Sequence, residues 1–375
     1  MLAGQTPSVS FFQDVVMPMV RVSHALRRLP ESSFRTIMPI PNCPDVGDVV
    51  LARLEAIGKN STLELRSGRR CMLHEGDLLA VVFGNRYATM QFEGYAEVNG
   101  DRCDLLSMGG LCGLVQSKHS SVSEPTKLRL LAAIGNASGT PLNLSQATLG
   151  PLSTTSLPHV IVVCGTSMDA GKTHTAMSLI RGLKHDGHDV AAMKLTGTAC
   201  GKDTWVMSDA GAHPVYDFID GGYPSTYQCS LAQLLSLFKL LRAHAGAQGA
   251  DCVVVEIADG LLQKETAALL SCAEFKATVA AWVFATGDPI GAVGGVHLLR
   301  EWGIEPVAVS GLISLSPLAM NEAKVATGLR CYTAKELRLG ILNDRLVGKS
   351  SDSNAAPSDA ELPAFEPASA KFAER

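Results

Sequence analysis

Apolar residues in this chain follow two different periods, and the change comes near residue 150. Between residues 45 and 145 they form short or alternating runs: Val49 to Leu54, Thr62 to Leu65, Leu78 to Phe83 and Leu128 to Ile134. Turn signals rich in Gly, Asn and Ser separate them at 58–60, 67–68, 84–85, 99–101 and 136–139. Short strands between tight turns have this pattern, which predicts a small β-rich, barrel-like domain over residues 36–145. A polar stretch at 146–158 containing two prolines reads as a linker. Beyond it, apolar runs at 160–163, 190–195, 252–257, 278–284 and 307–313 alternate with segments of helical period. Strands that are apolar on both faces imply a parallel sheet covered on both sides. The first helix carries Ala176, Leu179, Ile180 and Leu183 on one face and stops at Gly187. Further helices are expected over 231–241, 264–272 and 294–302. The fold class expected is therefore α/β, a parallel-sheet domain over 159–345 preceded by the β-rich one. Residues 1–35 carry no sustained period, and the segment 346–375, rich in Ser, Ala, Pro and charge, is expected to be a disordered tail.

Composition narrows the function more than the fold. Hydrophobic residues make up 46% of the 375 and charged ones only 18%, enough for two cores. A net charge of −4 offers no electrostatic footprint for nucleic acid or an anionic membrane. No apolar run approaches a membrane span, and the ten cysteines stand singly with no Cys-x-x-Cys pair. Reduced thiols in a cytoplasmic protein are the expectation.

The chemistry concentrates in HVIVVCGTSMDAGKTHT, residues 159–175. An apolar β-branched run stops at Cys164, a loop of small residues follows, and Gly171-Lys172-Thr173 opens a helix. This is a phosphate-binding loop in its required strand–loop–helix context. Backbone N–H groups of Gly165, Thr166, Ser167, Asp169, Ala170, Gly171 and the first helical residues, to His174, would cradle a nucleoside triphosphate. Lys172 would reach the β- and γ-phosphates and the Thr173 hydroxyl would ligate Mg²⁺. Five residues separate Gly165 from Gly171 where the usual motif has four.

Two strand ends join it. Ala192-Met193-Lys194 places a lysine at the end of an apolar strand, where an unpaired ammonium would be costly and could instead neutralise transferring charge. Val253-Val254-Val255-Glu256 has the layout of a strand whose terminal carboxylate holds Mg²⁺, with Asp259 three residues on. Between the two strands lie Asp203, Asp209, Asp217 and Asp220, and spacing alone does not choose the one that completes the metal shell. In the β-rich domain only Arg86 and Tyr87 look chemical, either gripping a carboxylate or an adenine ring or decorating a surface loop.

Gly165 to Thr173 resembles the phosphate loop of the dethiobiotin synthetase family. Met193-Lys194 with Gly197 resembles the strand carrying that family's catalytic lysine, Ser208-Asp209-Ala210 its Ser-Asp-Ala metal site, and Val255 to Gly260 its magnesium-binding Glu element. The likeness covers residues 159–313 in family order. It implies Lys172 and Lys194 as catalytic residues and Thr173, Asp209 and Glu256 as metal ligands. Ser167 replaces an acid, and Ile257 and Asp259 replace glycines, so the family's own substrate does not carry over. Asp217-Phe218 and the Val-rich strand ending at Glu256 also resemble a bacterial P-loop family that includes a D-amino-acid N-acetyltransferase.

These readings converge on an ATP- and Mg²⁺-dependent enzyme, expected to be a homodimer, that transfers the γ-phosphoryl group to a carboxylate or carbamate of a small-molecule substrate. The alternatives are an N-acyltransferase acting on an amino acid and a nucleotide-switched binding module. The absence of an Asn-Lys-x-Asp motif weighs against a guanine-reading switch.

Overall fold

A computed structural model describes residues 16–154 and 156–348. The expected tail beyond 348 and the first fifteen residues lie outside the described residues.

The first half is built from ten short strands: β1 (Val20–Val22), β2 (Thr36–Met38), β3 (Val49–Ala56), β4 (Thr62–Glu64), β5 (Arg70–Met72), β6 (Leu78–Phe83), β7 (Phe92–Tyr95), β8 (Arg102–Leu105), β9 (Leu111–Lys118) and β10 (Thr126–Gly135). Eight of them form one sheet and β4 and β5 a separate pair. Pairing runs β6–β3–β10–β8–β9 and then returns from β9 to β6, a closed circuit. Its interior follows from strand alternation. Val50, Ala52 and Leu54 of β3 and Leu79, Val81 and Phe83 of β6 share one core with Cys103, Leu105, Cys112, Leu128 and Leu130. The intervening Val49, Leu51, Ala80 and Val82 belong to a second core that continues into the other half of the molecule. Both faces of β3 and β6 are thus buried, which explains why Leu78 to Phe83 is apolar without a break. The sheet also reaches upstream of residue 36, because β1 pairs in parallel with β6.

The second half is α/β. Strands β11 (His159–Gly165), β12 (Val190–Lys194), β13 (Val215–Asp217), β14 (Cys252–Glu256), β15 (Val279–Ala285) and β16 (Ala308–Ser310) form a six-stranded sheet in the order β13-β12-β14-β11-β15-β16. Every pairing in it is parallel. On one face Ile161, Val163, Ala192 and Val254 pack against Ala176, Leu179, Ile180 and Leu183 of helix α1 (Lys172–His185). On the other, Val160, Val162, Met193 and Val255 pack against Leu234, Leu237, Phe238 and Leu241 of a helix spanning Leu231–Ala247, and against the first half. The last described helix, Asn343–Val347, buries Leu346 in the α1-side core, so order extends past residue 345.

The long segment between β12 and β14, read from the sequence as a Gly/Asp/Pro-rich loop, contains structure of its own: helix α2 (Lys202–Asp209), β13 and a 3₁₀ turn at Phe218–Gly221.

Candidate functional site

Strand β11 ends at Gly165, the chain loops over residues 166–171, and α1 begins at Lys172. Gly171 sits at φ 95°, and a Cβ there would come 2.9 Å from the Gly311 Cα, so this position needs glycine on two counts. Asp169 takes a left-handed φ of 63°, a conformation that short polar side chains tolerate best. No side chain caps α1, which leaves the N–H groups and positive dipole end of its first turn for an anion. The Lys172 ammonium donates to the Ser167 carbonyl at 2.7 Å. Burial holds it below the usual lysine value, against the pull of Glu256 and Asp259. Met168, Asp169, Gly171, Thr173 and His174 line a cavity with Lys172. Gly165, Thr166, Ser167 and Ala170 are not among its lining residues. The Thr166 N–H is already spent on the Ala285 carbonyl at 3.0 Å.

Parallel register delivers the strand-end residues. Lys194 pairs with Glu256, and Glu256 with Val163 of the strand that feeds the loop. Residues in register point to one side, here the side on which α1 packs, so both polar groups reach the start of that helix. The Thr173 hydroxyl donates to Glu256 Oε1 at 2.8 Å. Glu256 is 2% exposed and its Oε2 has no hydrogen-bond partner among the described residues. Asp203 Oδ1 stands 3.5 Å from the same hydroxyl, and Asp203 Oδ2 is ion-paired with the Lys194 ammonium. A hydroxyl and two carboxylates, with one buried carboxylate oxygen left over, are an oxygen-only donor set. They fit a hard cation such as Mg²⁺, which keeps waters for its remaining positions.

Asp209 is not part of this group. It ends α2, exposed, while Asp203 lies in the first turn of the same helix and lines the cavity. Six residues along a helix turn a side chain through 600°, most of the way to the opposite face, so the two aspartates cannot share the site. Asp217 and Asp220 serve elsewhere. Arg27 donates to Asp217 Oδ1 and Asp220 Oδ2, each at 2.8 Å, fastening the N-terminal half to the α/β half. Glu64 adds a second tie, accepting from the Gly201 N–H at 2.8 Å and the Trp205 indole at 3.2 Å.

The cavity, about 750 Å³, lies between the two halves. The β-rich half contributes Asn60, Arg70, Arg86, Tyr87 and Gln91 to its wall. Arg86 is therefore buried rather than a surface residue, and burial pushes its guanidinium down to about 10. Asp259, at φ 61° just past β14, is raised by burial against the pull of Lys172 and Lys194. Asn60 and Arg70 were not visible from sequence, because a polar residue in a turn or on a three-residue strand carries no period. The pairing of Arg27 with Asp217 spans 190 positions, and only the fold could reveal it.

No family model matches the chain, and no curated protein does. Among solved structures, part of the chain is similar to the signal recognition particle receptor FtsY from Elizabethkingia anophelis, with 18% identity and a TM-score of 0.30. The match covers 42% of this chain and 51% of that one, about half the length of the solved structure. At that level neither a family nor a particular nucleotide follows from it. Among the described residues no helix is long and apolar enough to cross a membrane.

Proposed function

We propose that the protein is an ATP- and Mg²⁺-dependent enzyme that transfers the γ-phosphoryl group to a carboxylate or carbamate of a small metabolite, as one step of a ligase or synthetase reaction. The observation that carries this reading is the Thr173–Glu256 hydrogen bond, with the second Glu256 oxygen buried and unpartnered beside it. An orphaned buried carboxylate oxygen is costly, and a cation bound there would relieve the cost. Thr173, Glu256 and Asp203 would hold Mg²⁺, which would neutralise phosphate charge. The uncapped first turn of α1 and Lys172 would receive the β- and γ-phosphates. Lys194, now held by Asp203, would turn toward the phosphoryl group as negative charge builds on it. The catalysis asked of the protein is positioning and electrostatics in a cleft shielded by the β-rich half, whose closed strand circuit we read as a small barrel. The likeness to dethiobiotin synthetases supports the phosphoryl-transfer part only.

The test is incubation with ATP, Mg²⁺ and pools of carboxylic and amino acids, reading ADP release. ADP that appears only with a particular pool supports the proposal. Consumption of acetyl-CoA without ADP would instead make the protein an acyltransferase.

A further inference from the structure

Arg86, like Lys172 across the cleft, has only neutral hydrogen-bond partners among the described residues. Arg86 is 7% exposed. Its guanidinium donates to Gln91 Oε1 at 2.7 Å and to the Leu106 carbonyl. Its Nε is buried with no partner among the described residues, and none of their carboxylates comes within 4.0 Å of it. The Phe92 ring at 5.9 Å screens one face. Asp259, in the same cavity, pulls on the guanidinium only from beyond 4.0 Å. A desolvated guanidinium without a contacting counterion is destabilising, a cost that an anion arriving from outside would relieve. The phosphates of a nucleotide are accounted for by the loop, Lys172, Lys194 and the oxygen donors at Thr173, all in the α/β half. Arg86 belongs to the wall supplied by the β-rich half, beside Tyr87 and Gln91. Its planar fork matches a carboxylate.

We propose that Arg86 anchors a carboxylate group of the acceptor substrate, so that the β-rich half selects the acceptor while the α/β half holds the nucleotide. The word acceptor rests on the phosphoryl-transfer reading above; the carboxylate site does not. Tyr87 extends the surface, since it also lines a neighbouring cavity of about 620 Å³ with Tyr227, Gln263 and Glu265. An acceptor longer than its carboxylate has room in that direction.

Calorimetric titration of the full chain decides it, with acetate, succinate, glutarate and inorganic phosphate as probes, with and without Mg²⁺ and a non-hydrolysable ATP analogue. At least one carboxylate should bind the wild type. Its Kd should rise by about tenfold or more in Arg86→Gln and by less in Arg86→Lys, which keeps the charge but loses the fork. Analogue affinity should stay within about twofold in both variants. Ligand-free Arg86→Gln should melt at or above the wild-type temperature, because a buried unpaired charge has been removed. Equal carboxylate binding in wild type and Arg86→Gln, no carboxylate binding at all, or preferred binding of phosphate at this residue would overturn the proposal. So would a melting temperature lowered by more than about 5 °C in both variants, which makes Arg86 a structural post. If the analogue fails to bind the wild type, the phosphoryl-transfer reading falls, and the titrations without nucleotide still decide the carboxylate site.

Discussion

Glu256 and Asp217 end two strands of one sheet, each in register with Lys194 on the strand between them, and each has a second acid close by. Around Asp217 the acids are matched: Arg27 reaches both Asp217 and Asp220, and Arg28 lies 3.8 Å from Asp220. Around Glu256 they are not. Glu256 Oε1 accepts from a neutral hydroxyl and Glu256 forms no ion pair among the described residues, while Asp203 is ion-paired with Lys194. One oxygen of each strand-end carboxylate, Glu256 Oε2 and Asp217 Oδ2, accepts from nothing described. The matched cluster is sealed between the halves, whereas the unmatched one opens into the cavity. A buried carboxylate at a strand end is thus neither structural nor functional by itself. What decides is whether the chain supplies its own countercharge.

The largest effect should come from breaking the matched cluster. Arg27→Ala leaves Asp217 and Asp220 buried without their shared guanidinium, and removing one partner of such a group costs about 3–5 kcal/mol. Urea unfolding should show that loss in the midpoint. The fraction still folded should turn over at the wild-type rate once a substrate is known, because the clamp does not touch the cavity. A lower rate per folded molecule would mean that the two clusters are not separable.

Lys194→Ala tests the unmatched cluster. Its removal should lower kcat by about 10²–10³, the usual loss for one group that stabilises transferring charge, with nucleotide affinity nearly unchanged. Stability should fall as well, because Lys194 is buried and its loss leaves Asp203 without its ion-pair partner, so kcat is read per folded molecule. Unchanged turnover would take Lys194 out of the mechanism.

The unmatched cluster was largely legible in the sequence, and the matched one was not, for a physical reason. Val160 to Val163, Val190 to Met193 and Cys252 to Val255 are strands buried on both faces, so a polar residue at the end of each run stands out against them. Parallel neighbours of similar length then bring Lys194 and Glu256 level with the loop. Asp203 was one of four acids left open, and only the helical geometry of α2 separates it from Asp209. The short strands β1, β2, β5, β7 and β8 carry three or four residues each, too few to show a period. Arg27 and Glu64 act across distances in sequence that no spacing rule reaches, whereas Arg86 stands out in the sequence without its burial being visible there.

His24 gives a smaller, pH-dependent contrast at the same junction. It is buried with neither ring nitrogen hydrogen-bonded among the described residues. Burial and then Arg27 hold it below its usual value of 6.5, against Asp217 and Glu64. A depressed folded-state value means that only the unfolded chain takes up the proton as pH falls through 6.5. The stabilisation is thus full above that pH and lost progressively below it. Wild type should lose more of its urea midpoint between pH 7.5 and 5.5 than His24→Gln does. An equal loss would place the acid sensitivity with the carboxylates alone.

Asp209→Asn should have the smallest effect. Asp209 is exposed in the last turn of α2, where a negative charge opposes the helix dipole. Removing the charge should change stability by no more than about 0.5 kcal/mol, in the stabilising direction, and leave Mg²⁺-dependent turnover within about twofold. Asp203→Asn should instead raise the Mg²⁺ concentration needed for half-maximal turnover, because Asp203 stands beside the Thr173 hydroxyl and holds Lys194. If the two variants behaved the other way round, α2 would have to reorient through most of half a turn on binding nucleotide. The resting arrangement of Lys194 and Asp203 would then be a closed state that the ligand opens.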